Sequence, residues 1–99
     1  MPRTRRLSDQ SLDVLKALIE TPDTWLYGLE LASATGLKSG TLYPILIRLA
    51  ERGLLESKWL APEKAGRPPR HAYRITRAGR AALKAAIRLA ALKPSGSLA

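Results

Sequence analysis

The sequence predicts a mainly α-helical fold that carries a two-stranded β hairpin and ends in one further helix. Apolar residues recur at helical spacing in residues 9–21 and 39–52, whereas residues 54–60 and 71–76 alternate as strands do. An alanine-rich segment, residues 77–92, is again helical in pattern. With 99 residues, the chain is expected to form a single domain with a modest core.

The first two helices are defined by their apolar positions and their ends. Ser8 or Asp9 can cap a helix that runs to about Thr21 and is followed by Pro22. Its apolar positions are Leu12, Leu15, Leu18 and Ile19. A second helix is predicted for residues 27–35, with Gly36 at its C-terminal end. Leu29, Leu31 and Ala32 are predicted to form its inner face, beside the neighbouring Trp25 and Leu26.

The third helix is predicted to begin after Ser39 as N-cap and to end at Gly53. Its inner stripe is Leu42, Ile45, Leu46 and Leu49. Pro44 lies inside this helix, where proline forfeits a backbone hydrogen bond and crowds the carbonyl one turn earlier. That carbonyl belongs to Gly40, whose backbone can adjust easily, so a local distortion is expected rather than a break.

The segment after Gly53 reads as a hairpin followed by a helix. Leu55, Ser57 and Trp59 are predicted on one face of the first strand, and His71, Tyr73 and Ile75 on one face of the second. Residues 61–70, APEKAGRPPR, form the loop between them because they are rich in proline, glycine and charge. Thr76 can cap the last helix, which is expected to reach about Leu92.

Two helices joined by the short turn at residues 36–38, followed by a basic hairpin, are typical of a winged helix-turn-helix, with the hairpin as the wing. The predicted organisation is a basic flexible arm at residues 1–7 and a winged helix-turn-helix at residues 8–76. A C-terminal dimerisation helix at residues 77–92 and a disordered tail at residues 93–99 complete it.

The net charge of +9 favours a polyanionic partner, because the cations are unevenly placed. Residues 57–80 contain seven cationic residues and one acid, Glu63: Lys58, Lys64, Arg67, Arg70, Arg74, Arg77 and Arg80. Arg3, Arg5 and Arg6 form a second cluster, which either reaches a duplex as an arm or is merely solvated. Double-stranded DNA is therefore the expected partner.

The outer face of the third helix is small and polar at its N-terminal end, which is the part that reads bases in helix-turn-helix docking. The predicted DNA-binding residues of this helix are Lys38, Ser39, Gly40, Thr41, Tyr43, Pro44 and Arg48, and those of the wing are Arg67, Pro68 and Arg70. Two of the helix residues keep an alternative. Tyr43 either bonds the DNA backbone or is a half-buried core residue, and Arg48 is either a backbone contact or a solvated side chain.

The last helix presents an apolar face with little core left to cover in a monomer. Leu83, Ile87, Ala90 and Ala91 are predicted to form a dimer contact, and the first helix is expected to add a spare apolar face that includes Val14. A homodimer is therefore predicted. An alanine-rich segment can also be simply a good helix former.

An enzyme is not indicated, because the chain has one histidine, His71, and no cysteine. No combination of acid, base and nucleophile and no metal-ligand spacing is present in the sequence, so no catalytic residue, metal or cofactor is expected. His71 is predicted to be a part-buried structural residue. No apolar run is long enough to span a membrane and no secretory signal pattern is present, so a soluble, cytoplasmic and nucleoid-associated protein is expected.

The run Gly40-Thr41-Leu42-Tyr43-Pro44, followed by Leu46, Leu49 and Arg52-Gly53-Leu54-Leu55, resembles the PadR family of transcriptional regulators. The wing run from Gly66 to Arg70, with Tyr73-Arg74-Ile75-Thr76 and Gly79, resembles the wing motif of that family. Tyr27-Gly28 before Glu30-Leu31 resembles a further family motif with its first two residues reversed. The match spans about residues 9–90.

The resemblance implies a homodimeric regulator, usually a repressor, that binds an operator of two-fold symmetry. With a single predicted C-terminal helix, the chain resembles the shorter subtype of the family. The resemblance leaves open whether a small-molecule effector binds it. Trp25 and Trp59 either line a ligand pocket in the dimer or are core aromatics, with the core favoured. The alternative function is a winged-helix module that binds protein or RNA without sequence-specific DNA binding.

Overall fold

The computed structural model describes residues 7–62 and 64–92. Within them lie four helices and three short strands. In chain order these are α1 Asp9–Ile19, β1 Leu26–Tyr27, α2 Gly28–Thr35, α3 Ser39–Glu51, β2 Leu55–Leu60, β3 Arg70–Ile75 and α4 Arg77–Leu92. The winged helix-turn-helix prediction is confirmed, and β1 is an additional strand. The predicted arm up to residue 6 and the predicted tail at residues 93–99 lie outside the described residues.

The helices bury the apolar stripes that the sequence predicts and enclose one core. Its fully buried side chains are Val14, Leu15, Leu18, Leu31, Leu42, Leu46, Leu49 and Leu83. The prediction that Val14 belongs to a spare outer face of α1 is wrong. Helix α1 packs against α2, α3, β3 and α4, so more of its circumference is covered than one stripe requires.

Helix α2 begins directly after β1 and differs from the prediction at its inner face. The backbone N–H of Tyr27 donates to Oε1 of Glu30 at 2.8 Å, which holds the first turn. Leu31 is fully buried, but Leu29 is 75% exposed. Because residues two apart lie on nearly opposite sides of a helix, Leu29 and Leu31 cannot share one inner face. Gly36 ends the helix in the left-handed conformation, with φ of 76°.

The sheet has the strand order β1-β3-β2, with both pairs antiparallel. Leu55 pairs with Ile75, Ser57 with Tyr73 and Trp59 with His71, so the two predicted faces lie on the same side of the sheet. On the other side of β3, Leu26 pairs with Tyr73. The face that carries Leu55, Tyr73 and Ile75 covers the core. We call the opposite side, which carries Trp25 and Tyr27, the outer face of the sheet.

Helix α4 is joined to the end of α3 by Thr76. Oγ1 of Thr76 donates to the carbonyl oxygen of Gly53 at 2.7 Å and accepts from the backbone N–H of Gly79 at 3.0 Å. Thr76 therefore caps α4 as predicted. A β-carbon at Gly79 would overlap the carbonyl oxygen of Leu54 and lie 2.8 Å from Cγ1 of Ile75. Only glycine lets the first turn of α4 approach the chain this closely.

Candidate nucleic-acid interface

Helix α3 begins one residue earlier than its predicted cap implies. Lys38, not Ser39, is the N-cap, and its carbonyl oxygen accepts from the N–H groups of Thr41 at 2.9 Å and Leu42 at 2.8 Å. Ser39 is the first helical residue, so its hydroxyl does not take the capping position. Pro44 consequently lies one position deeper in the helix than predicted. Because Pro44 has no backbone N–H, it cannot form the helical hydrogen bond to the carbonyl oxygen of Gly40. The surroundings of Gly40 are open, because an added β-carbon there would meet nothing within 4 Å.

The N-terminal half of α3 presents an exposed surface over a buried apolar stripe. Leu42, Ile45 and Leu46 are buried. The predicted contact residues are all exposed: Lys38, Ser39, Gly40, Thr41, Tyr43, Pro44 and Arg48. The first turn contains no acidic residue, so nothing opposes the positive end of the helix dipole. This surface can accept an anion such as a phosphate group.

Tyr43 connects α3 with the start of α2. Its phenol ring lies so close to Gly28 that a β-carbon there would lie 2.8 Å from Cζ of Tyr43 and overlap its hydroxyl. The side chain still leaves the residue 41% exposed. The ring thus packs on backbone, in accord with the half-buried alternative, while the residue remains accessible at the surface; a contact of Tyr43 with DNA stays a prediction.

The outer face of the sheet places cations over aromatic rings. The guanidinium of Arg70 lies 3.6 Å from the ring centre of Tyr27. Lys58 Nζ and the Arg74 guanidinium lie 4.4 Å and 4.5 Å from the ring of Trp25. These cation–π contacts hold the three side chains at defined positions.

The contact of Arg70 with Tyr27 does not follow from the sequence pattern. The composition of residues 61–70 places Arg70 in the loop, but it is the first residue of β3. Trp25 and Tyr27 are two residues apart, a spacing typical of a strand. This spacing is the sequence signal from which β1 could have been predicted.

The tip of the wing is cationic and exposed. Arg67, Pro68 and Arg70 are all exposed, and so is Lys64. Glu56, at the base of the wing, accepts from Nη2 of Arg74 at 3.0 Å, so its charge is locally paired. The predicted wing residues are thus placed where a polyanion can reach them.

The core-side face of the hairpin carries a row of three aromatic side chains. The rings of Trp59 and His71 stack with centres 4.4 Å apart and 9° between their planes. Nδ1 of His71 is hydrogen bonded to the hydroxyl of Tyr73 at 3.1 Å. His71 is part-buried, as predicted. Trp59 is 67% exposed, so its assignment to the core is wrong: β2 extends beyond the helices that would cover it.

Tyr73 links this row to α3. It is only 4% exposed, and desolvation by burial raises the pKa of its hydroxyl above 10.0. The neighbouring phenol of Tyr43 raises this pKa further.

An open cleft of about 450 Å³ lies between β1 and the wing loop. It is lined by Tyr27, Ala61, Pro62, Lys64, Arg67, Pro68 and Arg70. Neither Trp25 nor Trp59 lines this cleft. In the described part of the chain, no group of three or more histidine and acidic side chains is placed to hold a metal. No helix within the described ranges is long and apolar enough to cross a membrane.

Helix α4 divides into a packed half and a projecting half. Leu83 is 2% exposed and belongs to the core, so its assignment to a partner-facing surface is wrong. The core needs this leucine because α4 packs against α1. Ile87, Leu89 and Leu92 are exposed large apolar residues beyond it, and Ala90 and Ala91 are also exposed.

Comparison with known families now bears on this arrangement. Residues 14–85 match the model of the transcriptional regulator PadR-like family. The chain belongs to the PadR-like family of transcriptional regulators. The matched range contains α2, α3 and the whole wing, and it ends within α4, after Leu83. No curated protein sequence matches the chain.

Solved structures share the PadR-like fold. A PadR family transcriptional regulator from Eggerthella lenta is 28% identical, with a TM-score of 0.68, over 84% of this chain and 75% of that one. A PadR family regulator from Clostridium difficile is 23% identical, with a TM-score of 0.70, over 83% and 86%. At that identity the second structure supports the fold alone.

A third neighbour was solved with nucleic acid. The transcriptional repressor CouR, bound to a 23-mer DNA duplex, is 26% identical, with a TM-score of 0.71, over 88% of this chain. This chain spans only 57% of CouR and 59% of a probable transcriptional regulator from Pseudomonas aeruginosa.

Proposed function

We propose that this PadR-like chain is a sequence-specific DNA-binding repressor that acts as a homodimer on a palindromic operator. Helix α3 lies in the major groove, and the wing, residues 61–70, contacts the backbone or the minor groove. The observation that carries this proposal is the exposed N-terminal surface of α3, which has no acid in its first turn and stands beside a cationic wing. The likeness to CouR, which was solved on a DNA duplex, supports it.

The chemistry of the α3 surface suits a groove. Gly40 and Thr41 are small enough to let the helix approach base edges, and the Thr41 methyl and hydroxyl groups can meet a thymine methyl or a polar base atom. Lys38 and the helix N-terminus meet phosphate groups, which set the register. Tyr43 and Arg48 flank this contact and add backbone bonds.

The wing supplies the sequence-independent part of the affinity. Its side chains Lys64 and Arg67 are exposed, and Arg70 is held in place by the ring of Tyr27. Pro68 and Pro69 limit the loop's freedom, so less entropy is lost when it is fixed against DNA. Each phosphate neutralised by such a cation releases counterions, and this makes the binding salt-dependent.

The projecting half of α4 supports a dimer. Ile87 is 51% exposed and Leu92 74% exposed, on a helix whose alanines permit close approach of a second helix. A two-fold dimer would place two α3 helices on successive half-sites, about one helical turn apart. The apolar surface of α4 is what such a dimer would cover.

Selection of duplexes from a random library by the purified 99-residue chain, followed by sequencing, tests the function. We expect an inverted repeat whose affinity exceeds that of a scrambled duplex by a thousandfold or more. A salt titration on both duplexes measures the electrostatic contribution. Equal, weak binding to all duplexes would contradict the proposal, and tighter binding to RNA or to an acidic protein would favour the alternative module.

Thr41→Phe tests the placement of α3. A bulky ring at the groove floor should weaken binding to the selected operator by at least tenfold while leaving the scrambled duplex nearly unaffected. Thr41→Ser serves as the matched control, because it keeps the hydroxyl and removes only a methyl group. An equal loss on both duplexes would mean that Thr41 does not lie near base edges.

A further inference from the structure

The exposed indole of Trp59 is a feature that the fold does not require. Trp59 is 67% exposed on the core-side face of the hairpin, where its one described ring contact is the parallel stack on His71 at 4.4 Å. Truncating it would open no cavity in the core. A large flat side chain held rigidly at the surface is characteristic of a contact site, because tryptophan offers broad area and a single N–H donor.

The hydrogen bond behind His71 determines what that ring presents to solvent. The hydroxyl of Tyr73 is buried and lies 3.1 Å from Nδ1 of His71. We take this hydroxyl as the donor to Nδ1 of His71. An imidazole that accepts at Nδ1 carries its proton on Nε2. In that tautomer the ring has an N–H donor at Nε2, an atom that the bond to Tyr73 does not use.

The same row lies next to the proposed wing contacts. Trp59 and His71 pair across the hairpin at the end where the wing loop begins and ends, and His71 directly follows Arg70 in β3. The stack therefore stands at the root of the loop that carries the cationic wing tip. A duplex seated on both α3 and the wing would pass this row.

We propose that Trp59 and His71 form a further DNA-backbone contact, in which indole Nε1–H and imidazole Nε2–H donate to phosphate oxygens between the α3 and wing-tip contacts. Tyr73 acts as the positioning residue for His71. The proposal rests on the proposed function, since it adds contacts for the same partner. Both groups are N–H donors and phosphate oxygens are acceptors, so we assign the pair to the backbone rather than to base readout.

The opposite face of the hairpin provides an internal control. Trp25 is flanked there by Lys58 at 4.4 Å and Arg74 at 4.5 Å, so its ring is already occupied by two cations of the chain itself. The two tryptophans thus lie on opposite faces of one small sheet. Only the fluorescence of Trp59 should change when DNA binds. Variants that keep one tryptophan each allow the two emissions to be measured separately.

Fluorescence of single-tryptophan variants tests the contact directly. In W25F protein, titration with the selected duplex should quench the emission of Trp59 and shift it. In W59F protein, the remaining emission of Trp25 should change by less than about a tenth. A Trp59 emission that stays constant while an independent anisotropy assay shows the duplex to be bound would overturn the proposal.

Affinity measurements separate the hydrogen bond from the stack. W59F removes the indole N–H but can still stack on His71, so loss of one hydrogen bond to a charged group should weaken binding by about tenfold. W59A also removes the stack and should lose more. Both variants should lose affinity for operator and scrambled duplex alike. Their salt slope should equal that of the wild type, because a neutral donor releases no counterion.

Y73F tests the positioning role. It keeps the buried ring but removes the donor to His71, so it should weaken DNA binding by severalfold without changing the salt slope. In a Y73F/H71A double variant, the loss should be no larger than in H71A, because the hydroxyl acts through the imidazole. Independent, additive losses would overturn the positioning role.

Four outcomes distinguish the contact from the regulator function on which it rests. Weaker binding of W59A with an unchanged unfolding midpoint and unchanged oligomeric mass supports the contact. If W59A keeps its affinity while R67A is weakened, the contact is overturned and the regulator proposal remains intact. The same conclusion follows if the loss of affinity in W59A accompanies a change of oligomeric mass. If the wild type binds no duplex, the proposed function fails and the contact fails with it.

Discussion

The phenol of Tyr43 lies directly on the backbone of Gly28, with no room for a β-carbon between them. This contact joins the two helices of the helix-turn-helix at the end that the proposal places towards DNA. Gly28 is buried and supports the ring, whereas Tyr43 is 41% exposed and remains accessible at the surface.

We expect Gly28→Ala to lower the free energy of unfolding by roughly 1–3 kcal/mol, since the added methyl group must displace the Tyr43 ring. Urea unfolding followed by circular dichroism measures the change. Gly40→Ala is the matched control, because a methyl group there meets nothing within 4 Å and alanine is the better helix former. Equal stability of the G28A and wild-type proteins would mean that the ring moves aside without cost.

Gly79→Ala should destabilise the fold more, by about 3 kcal/mol, because the methyl group would overlap the Leu54 carbonyl, which is backbone and cannot rotate away. The cap from Thr76 to the Gly79 N–H would be displaced at the same time. Thermal unfolding should show the loss. Ala78→Gly, at the exposed neighbouring position, separates this clash from helix propensity, and a G79A loss no greater than that of A78G would contradict the expectation.

Burial raises the pKa of the Tyr73 hydroxyl above 10.0, and the sign of its effect on stability follows. The unfolded chain loses this proton first, so stability is fully present below pH 10 and is lost as pH rises towards the folded-state pKa. Wild-type protein should therefore lose more unfolding free energy between pH 9 and pH 11 than Y73F. An equal loss of unfolding free energy in both proteins over this pH range would rule out this contribution from Tyr73.

Arg67→Ala and Arg70→Ala should each weaken binding to every duplex, and each should reduce the slope of log affinity against log salt by about 1. Fluorescence anisotropy across a salt series gives both quantities. Lys16→Ala, which removes one exposed cation from α1, should change neither beyond a small general effect of charge. Slopes that stay at the wild-type value would remove the wing tip from the interface.

Ile87→Glu should shift the chain from dimer to a monomer of 10.8 kDa, because it places a charge in the apolar face of the projecting half of α4. Sedimentation equilibrium measures the mass. Ala85→Glu, exposed on the opposite side of the same helix, is the control and should remain dimeric. A wild-type chain that is monomeric at micromolar concentration would contradict the proposed dimer.

The helices and the hairpin followed from periodicity and end signals alone. The stripe of Leu42, Ile45, Leu46 and Leu49 is buried as predicted, and Thr76 caps α4. Periodicity reports which side of an element is apolar, but it does not report how many neighbours surround the element. Periodicity therefore assigns Val14 and Leu83 to outer faces, although both are core residues.

For the candidate interface, the sequence by itself determined the residue types: a small polar start to α3, a basic wing and a proline tolerated beside Gly40. These depend on local chemistry, which neighbouring residues along the chain already specify. Only the tertiary structure decided which side chains meet across elements. Tyr43 on Gly28, Arg70 on Tyr27 and the stack of Trp59 on His71 join residues whose proximity depends on strand register and helix packing. Those are properties of the whole fold, because no local pattern contains the distance between two elements.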